Sequence, residues 1–209
     1  MMINLETITV GMFATNCYIV SCTATKEAIV IDPGADAKKI MARIEKEQLT
    51  IRAIVNTHGH IDHISANGKL QDEYRVPILL SKLDLGLYHN PGFGLGLVLK
   101  KQPDPDRLIK EGDIIKFGEQ ALAVIDTPGH TEGGVSLVSS GLVFCGDTLF
   151  AGSIGRTDLA GGSYQTLLKS IKYKLMILPP DTLVYCGHGP ITTIGAEAQT
   201  NPFMTGLDS

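Results

Sequence analysis

The chain has 209 residues, of which 44% are hydrophobic and 19% charged, with a formal net charge of −4. This is the composition of a folded chain rather than a disordered one, and without a basic stripe it lacks the electrostatic footprint of a nucleic-acid binder. No stretch is long and apolar enough to cross a bilayer, and no basic region precedes an apolar block at the start, so one domain over 1–209, cytoplasmic and without a membrane partner, is expected.

In chain order, residues 3–10, 17–21 and 27–31 read as strands separated by turn residues, and Asp32-Pro33-Gly34 reads as a turn. Residues 37–49 carry apolar positions at Ile40, Met41, Ile44 and Leu49, the spacing of one helical face. A short buried strand is predicted over 51–56 and a helix over 62–74. Another strand follows at 77–80, and Ser81 and Asp84 open a short helix that ends at Tyr88. Residues 89–106 contain six Pro or Gly residues and cannot be regular throughout; a loop of that length is often a lid or a binding loop. The second half repeats the style, with strands at 114–117, 120–125, 135–138, 142–145 and 183–186. A helix over 163–177 has Ser163 as its N-cap, and a terminal helix can follow Thr192. Runs of strands, each followed by helices, suggest two sheets packed face to face with helices outside. Lys38-Lys39 and Lys100-Lys101 read as solvated surface, and the cysteines at 17, 22, 145 and 186, with no CxxC pair, read as reduced thiols.

Chemistry concentrates in Thr57-His58-Gly59-His60-Ile61-Asp62-His63, which holds three of the 6 histidines. A Val/Ile-rich strand leads into it. In extended chain His58 and His60 point the same way, while Asp62 and His63 fall at the start of a helix. Imidazole and carboxylate suit zinc or iron, and the donors outnumber those of one closed structural site. Three more buried strands end at glycine and a ligand-type residue: Gly129-His130, Gly146-Asp147 and Gly187-His188. Cys145 and Cys186 stand two residues before Asp147 and His188; a buried thiol is the favoured reading over a thiolate ligand.

The segments THGHIDH (57–63), TPGHTEGG (127–134), GDTLFAGSIGRTD (146–158) and GHGPITTIGAEAQTNPF (187–203) resemble the metallo-β-lactamase superfamily. Within it they are most similar to the glyoxalase II-like hydrolases of the short form. The resemblance implies an α+β fold, the αββα four-layer sandwich. It also implies two divalent metal ions, zinc first, with iron or manganese as alternatives. His58, His60 and His130 would hold the first metal and Asp62, His63 and His188 the second, with Asp147 bridging them. The expected reaction is attack on a thioester carbonyl by a hydroxide between the metals, with Asp62 also orienting the nucleophile.

The expected partner is a small thioester, with a glutathione-derived one under consideration. In the glyoxalase II family a basic residue near Arg156 contacts a glutathione carboxylate; here Thr157 and Asp158 replace the aromatic residues that accompany it. The alternative is that Arg156 pairs with Asp158 or another acid to fix its loop. The loop from Tyr88 to Lys101 is a second candidate for the pocket wall. Rival activities on the same scaffold are a mononuclear iron persulfide dioxygenase and a lactonase or β-lactamase. A non-catalytic metal-binding protein is the third rival.

Overall fold

The computed structural model describes residues 2–90 and 101–204. The chain starts with an antiparallel meander, β1 (Ile3–Val10), β2 (Thr15–Cys22) and β3 (Glu27–Ile31). Helix α1 (Ala37–Lys46) crosses to β4 (Thr50–Val55), parallel to β3. Two short helices, α2 (Ile61–Ile64) and α3 (Asn67–Tyr74), make the next crossover, to β5 (Ile78–Ser81). A 3-10 turn at Lys82–Asp84 and α4 (Leu85–His89) precede β6 (Arg107–Ile109), which closes the first sheet in the order β1-β2-β3-β4-β5-β6.

The second sheet runs β7 (Ile114–Phe117), β8 (Gln120–Asp126), β9 (Val135–Ser139) and β10 (Leu142–Gly146), each antiparallel to the last. A small hairpin, β11 (Leu149–Phe150) and β12 (Ser153–Ile154), stands apart. Helix α5 (Tyr164–Ser170) runs into a π turn at Ile171–Leu175 and returns the chain to β13 (Leu183–Cys186), parallel to β10. Strand β14 (Thr192–Thr193) and helix α6 (Ile194–Thr200) end the described chain, and the sheet order is β14-β13-β10-β9-β8-β7.

The period of two explains the layers. In β3, Ile29 and Ile31 face the inter-sheet core while Ala28 and Val30 face Ile40, Ile44 and Leu70 of α1 and α3. In β10, Phe144 joins the inter-sheet core while Val143 and Cys145 pack beneath Leu167, Ile171 and Leu175. Strands buried on both faces read as unbroken apolar runs rather than alternations. Tyr18 of the first sheet meets Phe144 of the second with centroids 5.1 Å apart, and Tyr185 stacks on Phe144 at 5.1 Å. The four layers are helix, sheet, sheet and helix, the αββα sandwich expected from the resemblance. Among the described residues no helix is long and apolar enough to cross a membrane.

Several predicted elements are altered by local hydrogen bonding. The helix predicted over 62–74 divides at Ser65–Ala66. Ser65 turns its hydroxyl back onto the Ile61 carbonyl at 2.5 Å, and the Ala66 amide leaves the helix to donate to Pro33 at 2.9 Å. This break lets Asn67, fully buried, pair with Asn56 at the end of β4. The helix predicted to Leu49 stops at Lys46. Gln48 takes a left-handed φ of 53° and the Leu49 amide bonds to Ile44, a Schellman ending. Ser163 caps α5 as predicted, accepting from the Thr166 amide. Strand β6 and the β11–β12 hairpin were not predicted, because two or three residues are too few to show a period. Most of the Pro/Gly-rich loop, with Lys100, lies outside the described residues.

Candidate dimetal site

Each predicted ligand follows the C-terminal end of a strand. His58, His60, Asp62 and His63 follow β4, His130 follows β8, Asp147 follows β10 and His188 follows β13. Both sheets therefore deliver side chains to one rim. Close approach there requires glycine: a Cβ at Gly187 would lie 2.0 Å from Asp147 Oδ1 and 2.9 Å from His63 Cε1.

The seven side chains form two nests. In one, the ligand atoms of His58, His60 and His130 all lie within 4.8 Å of one another, and in the other those of Asp62, His63 and His188 do. Asp147 stands between them. Its Oδ1 is 3.4 Å from His63 Nε2, and its Oδ2 is 3.6 Å from His130 Nε2 and 3.5 Å from His188 Nε2. Partners behind the rings aim them. His130 Nδ1 donates to the Arg156 carbonyl at 2.8 Å, His188 Nδ1 to the Phe13 carbonyl at 3.1 Å and His63 Nδ1 to Asp32 at 3.0 Å. Each bond engages Nδ1 and leaves Nε2 facing the nest, the atom that would bind a cation once it is free of its proton.

The donor chemistry fits metal ions. His58 Nε2, His63 Nε2 and Asp147 Oδ1 are buried with no hydrogen-bond partner, although His63 Nε2 and Asp147 Oδ1 lie within ion-pair range of each other. Buried polar atoms are rarely left so, and three converging on one volume mark a place for cations.

The two nests differ electrostatically. Burial pushes the His58 imidazole well below its ordinary range, helped by the neighbouring His63, His130 and His60 rings. Burial likewise brings His60 down to about 4. At His63 burial also acts downward, but Asp147 and Asp32 outweigh it and raise the ring to about 9. At His188 burial is outweighed by hydrogen bonds to Asp147 and Asp62, which raise it to about 10. Burial works upward on Asp62 and Asp147, yet the histidines facing them hold both carboxyls below the usual range.

Several residues that build the site carried no ligand signal in the sequence. Asp32, read only as a turn residue, is buried with a left-handed φ of 50°. It accepts from the Thr57 amide at 2.7 Å and the Thr57 hydroxyl at 2.6 Å besides orienting His63. Its place before Pro-Gly at the end of an apolar strand was the one clue the sequence offered. Thr15 donates to Asp62 Oδ2 at 3.1 Å, and Asn16 holds the Cys186 and Gly189 carbonyls at 3.1 and 2.9 Å, so β2 supports Asp62 and the loop of His188 in the second nest. Cys145 and Cys186 point away from both nests into the core beneath α5 and α6.

A cavity of about 440 Å³ opens over the nests, walled by Phe13, Ile61, Phe150, Ile154, Arg156 and Leu159. Arg156 both lines this cavity and forms a two-pronged pair with Asp158, at 2.8 Å through each nitrogen. The pairing with Asp158 is therefore present, and the same side chain borders the cavity over the nests.

Residues 10–188 match the metallo-beta-lactamase superfamily. The chain belongs to that superfamily. A relative from Haemophilus influenzae, named hydroxyacylglutathione hydrolase GloC, is 37% identical over 209 residues, covering 96% of this chain and 98% of its own. The structure is similar to the B3 metallo-beta-lactamase BLEG-1, with a TM-score of 0.91 and 38% identity over 97% of this chain and 100% of that one. It is also similar to TTHA1623 in a di-iron-bound form, with a TM-score of 0.86 and 38% identity over 95% of this chain and 99% of that one. The His/Asp cluster accordingly fits a dimetal site of the metallo-beta-lactamase superfamily.

Proposed function

We propose that this superfamily member is a dimetal hydrolase of small thioesters, acting as one domain over 1–209. The observation that carries the reading is the pair of three-donor nests sharing Asp147 beneath a cavity large enough for a small substrate. The similarity to a hydroxyacylglutathione hydrolase supports thioesters as the substrate class. His58, His60 and His130 would hold one ion and Asp62, His63 and His188 the other, with Asp147 shared and zinc as the first candidate. Two bound ions would supply Lewis acidity toward a carbonyl and would lower the pKa of water toward neutrality.

The chain's own groups do the rest. Asp62, on the cavity wall and tied to Thr15 and His188, orients the attacking water. Phe13, Ile61 and Phe150 exclude bulk water and present apolar surface to the substrate. Arg156 holds a substrate carboxylate by exchanging its Asp158 partner, an exposed pair that costs little to open.

The test is hydrolysis of S-lactoylglutathione by the zinc-loaded protein, with His58→Ala as control. Turnover that the variant loses by at least about 100-fold is expected. Absence of turnover with two metals bound would reject this substrate. A second reading, hydrolysis of a lactam or lactone ring, is favoured by the similarity to BLEG-1, and a β-lactam and a lactone belong in the same assay. His188 completes a second nest, which favours two ions over one; oxygen uptake with a persulfide would instead support a mononuclear dioxygenase.

A further inference from the structure

Asp84 ends the 3-10 turn after β5 and is only 1% exposed. Its carboxylate joins loops that are distant in sequence. Oδ2 accepts from the Gly59 amide at 2.8 Å and from the Thr131 hydroxyl at 2.9 Å, and Oδ1 accepts from the Gly133 amide at 2.7 Å. Gly59 lies between His58 and His60, while Thr131 and Gly133 lie one and three residues after His130. One buried carboxylate thus binds the ligand loop of the first sheet to the ligand loop of the second. The fit is close, because a Cβ at Gly133 would sit 2.6 Å from the Asp84 amide nitrogen and 2.7 Å from Oδ1.

The second nest is held differently. Asp32 touches the His63 ring itself, whereas the hydrogen bonds of Asp84 go to two backbone amides and one hydroxyl. Asp84 therefore leaves ring tautomers alone and fixes where the two loops lie. Three ligands can hold one ion tightly only if their loops stay at fixed separation, and the first nest draws its ligands from both loops.

We propose that Asp84 is the positioning residue of the first nest, setting the separation of His58 and His60 from His130 and thereby that nest's metal affinity. The inference rests on the reading of those histidines as metal ligands. Asn in its place offers one acceptor oxygen and turns an NH2 group toward a donor.

The test measures zinc affinity by chelator competition in two backgrounds, each with one nest crippled. In His188→Ala protein the first nest remains, and adding Asp84→Asn is expected to weaken zinc about 10- to 100-fold. In His58→Ala protein the second nest remains, and the same change is expected to leave affinity within about 2-fold. Unchanged affinity in the first background, or equal loss in both, overturns the positioning role, the latter because general loosening would not discriminate between nests. A His188→Ala parent that binds no zinc overturns the nest assignment and the proposal with it. If Asp84→Asn does not fold, Thr131→Val removes one of the three bonds, and a several-fold loss confined to the first nest is then expected.

Discussion

At the scale of residues the two nests differ in how many protons they carry before any ion arrives. His58 and His60 are held neutral at pH 7 by burial, whereas His63 and His188 are held protonated up to about 9 and about 10 by the aspartates around them. A raised folded pKa means that the group stabilises the fold. That contribution is fully present below the unfolded value of about 6.5 and is lost as pH rises through the folded value. The melting temperature of metal-free protein in chelator should therefore fall as pH climbs from about 6.5 to 10. A zinc ion entering the second nest must displace those protons, so calorimetry at pH 7 in buffers of different ionisation heat should report release of about two protons. Heats that do not vary with buffer would contradict this assignment.

At the scale of elements, the cavity wall depends on the C-terminal helix. The β11–β12 hairpin supplies Phe150, Ser153 and Ile154 to the wall but is too short to hold itself. Asn201, fully buried just beyond α6, donates to the Ser153 carbonyl at 2.9 Å and, more weakly, to the Phe150 carbonyl at 3.4 Å. Glu197 of α6 accepts from the Gly152 amide at 2.9 Å, from Thr192 at 2.6 Å and from Asn201 at 2.8 Å. This network gives the segment around Asn201-Pro202-Phe203 a physical role. Asn201→Ala removes the buried bond to Glu197 and frees two part-buried carbonyls, and a stability loss of about 1–3 kcal/mol is expected in urea unfolding. KM should rise more than kcat falls, since the wall loosens while the nests do not. A kcat collapse at unchanged KM would place the effect elsewhere.

At the scale of the whole molecule, one core joins both halves of the site. Phe144 is fully buried between the sheets, against Tyr18 from one and Tyr185 from the other. Phe144→Ala removes a ring that close packing cannot replace and should cost about 3–5 kcal/mol. The nests draw ligands from both sheets, so metal release and loss of tertiary structure should follow one denaturant curve. Early metal loss at full near-ultraviolet signal would show that the site is not rigidly coupled to this core.

The residue types of the candidate site and their strand-end positions could be read from the chain because they are chemically scarce. Only 6 histidines occur, and His58, His60, His63, His130 and His188 all fall in the loops or the short helix that follow buried strands. The two-sheet architecture was readable for a similar reason, since strands buried on both faces leave long apolar runs. Tertiary structure alone decided what holds those ligands in place. The oxygens that aim His130 and His188 are backbone carbonyls of Arg156 and Phe13, and a carbonyl is the same at every residue. Asp32 and Asp84 are ordinary turn and helix-start aspartates until the fold buries them, and their partners lie 25 to 49 residues away. That Arg156 pairs with Asp158 was likewise undetermined in the sequence, because an arginine two residues before an aspartate can pair with it or with another group. Side-chain identity is local and written in the sequence; burial and the pairing of distant groups exist only once the two sheets have closed on each other.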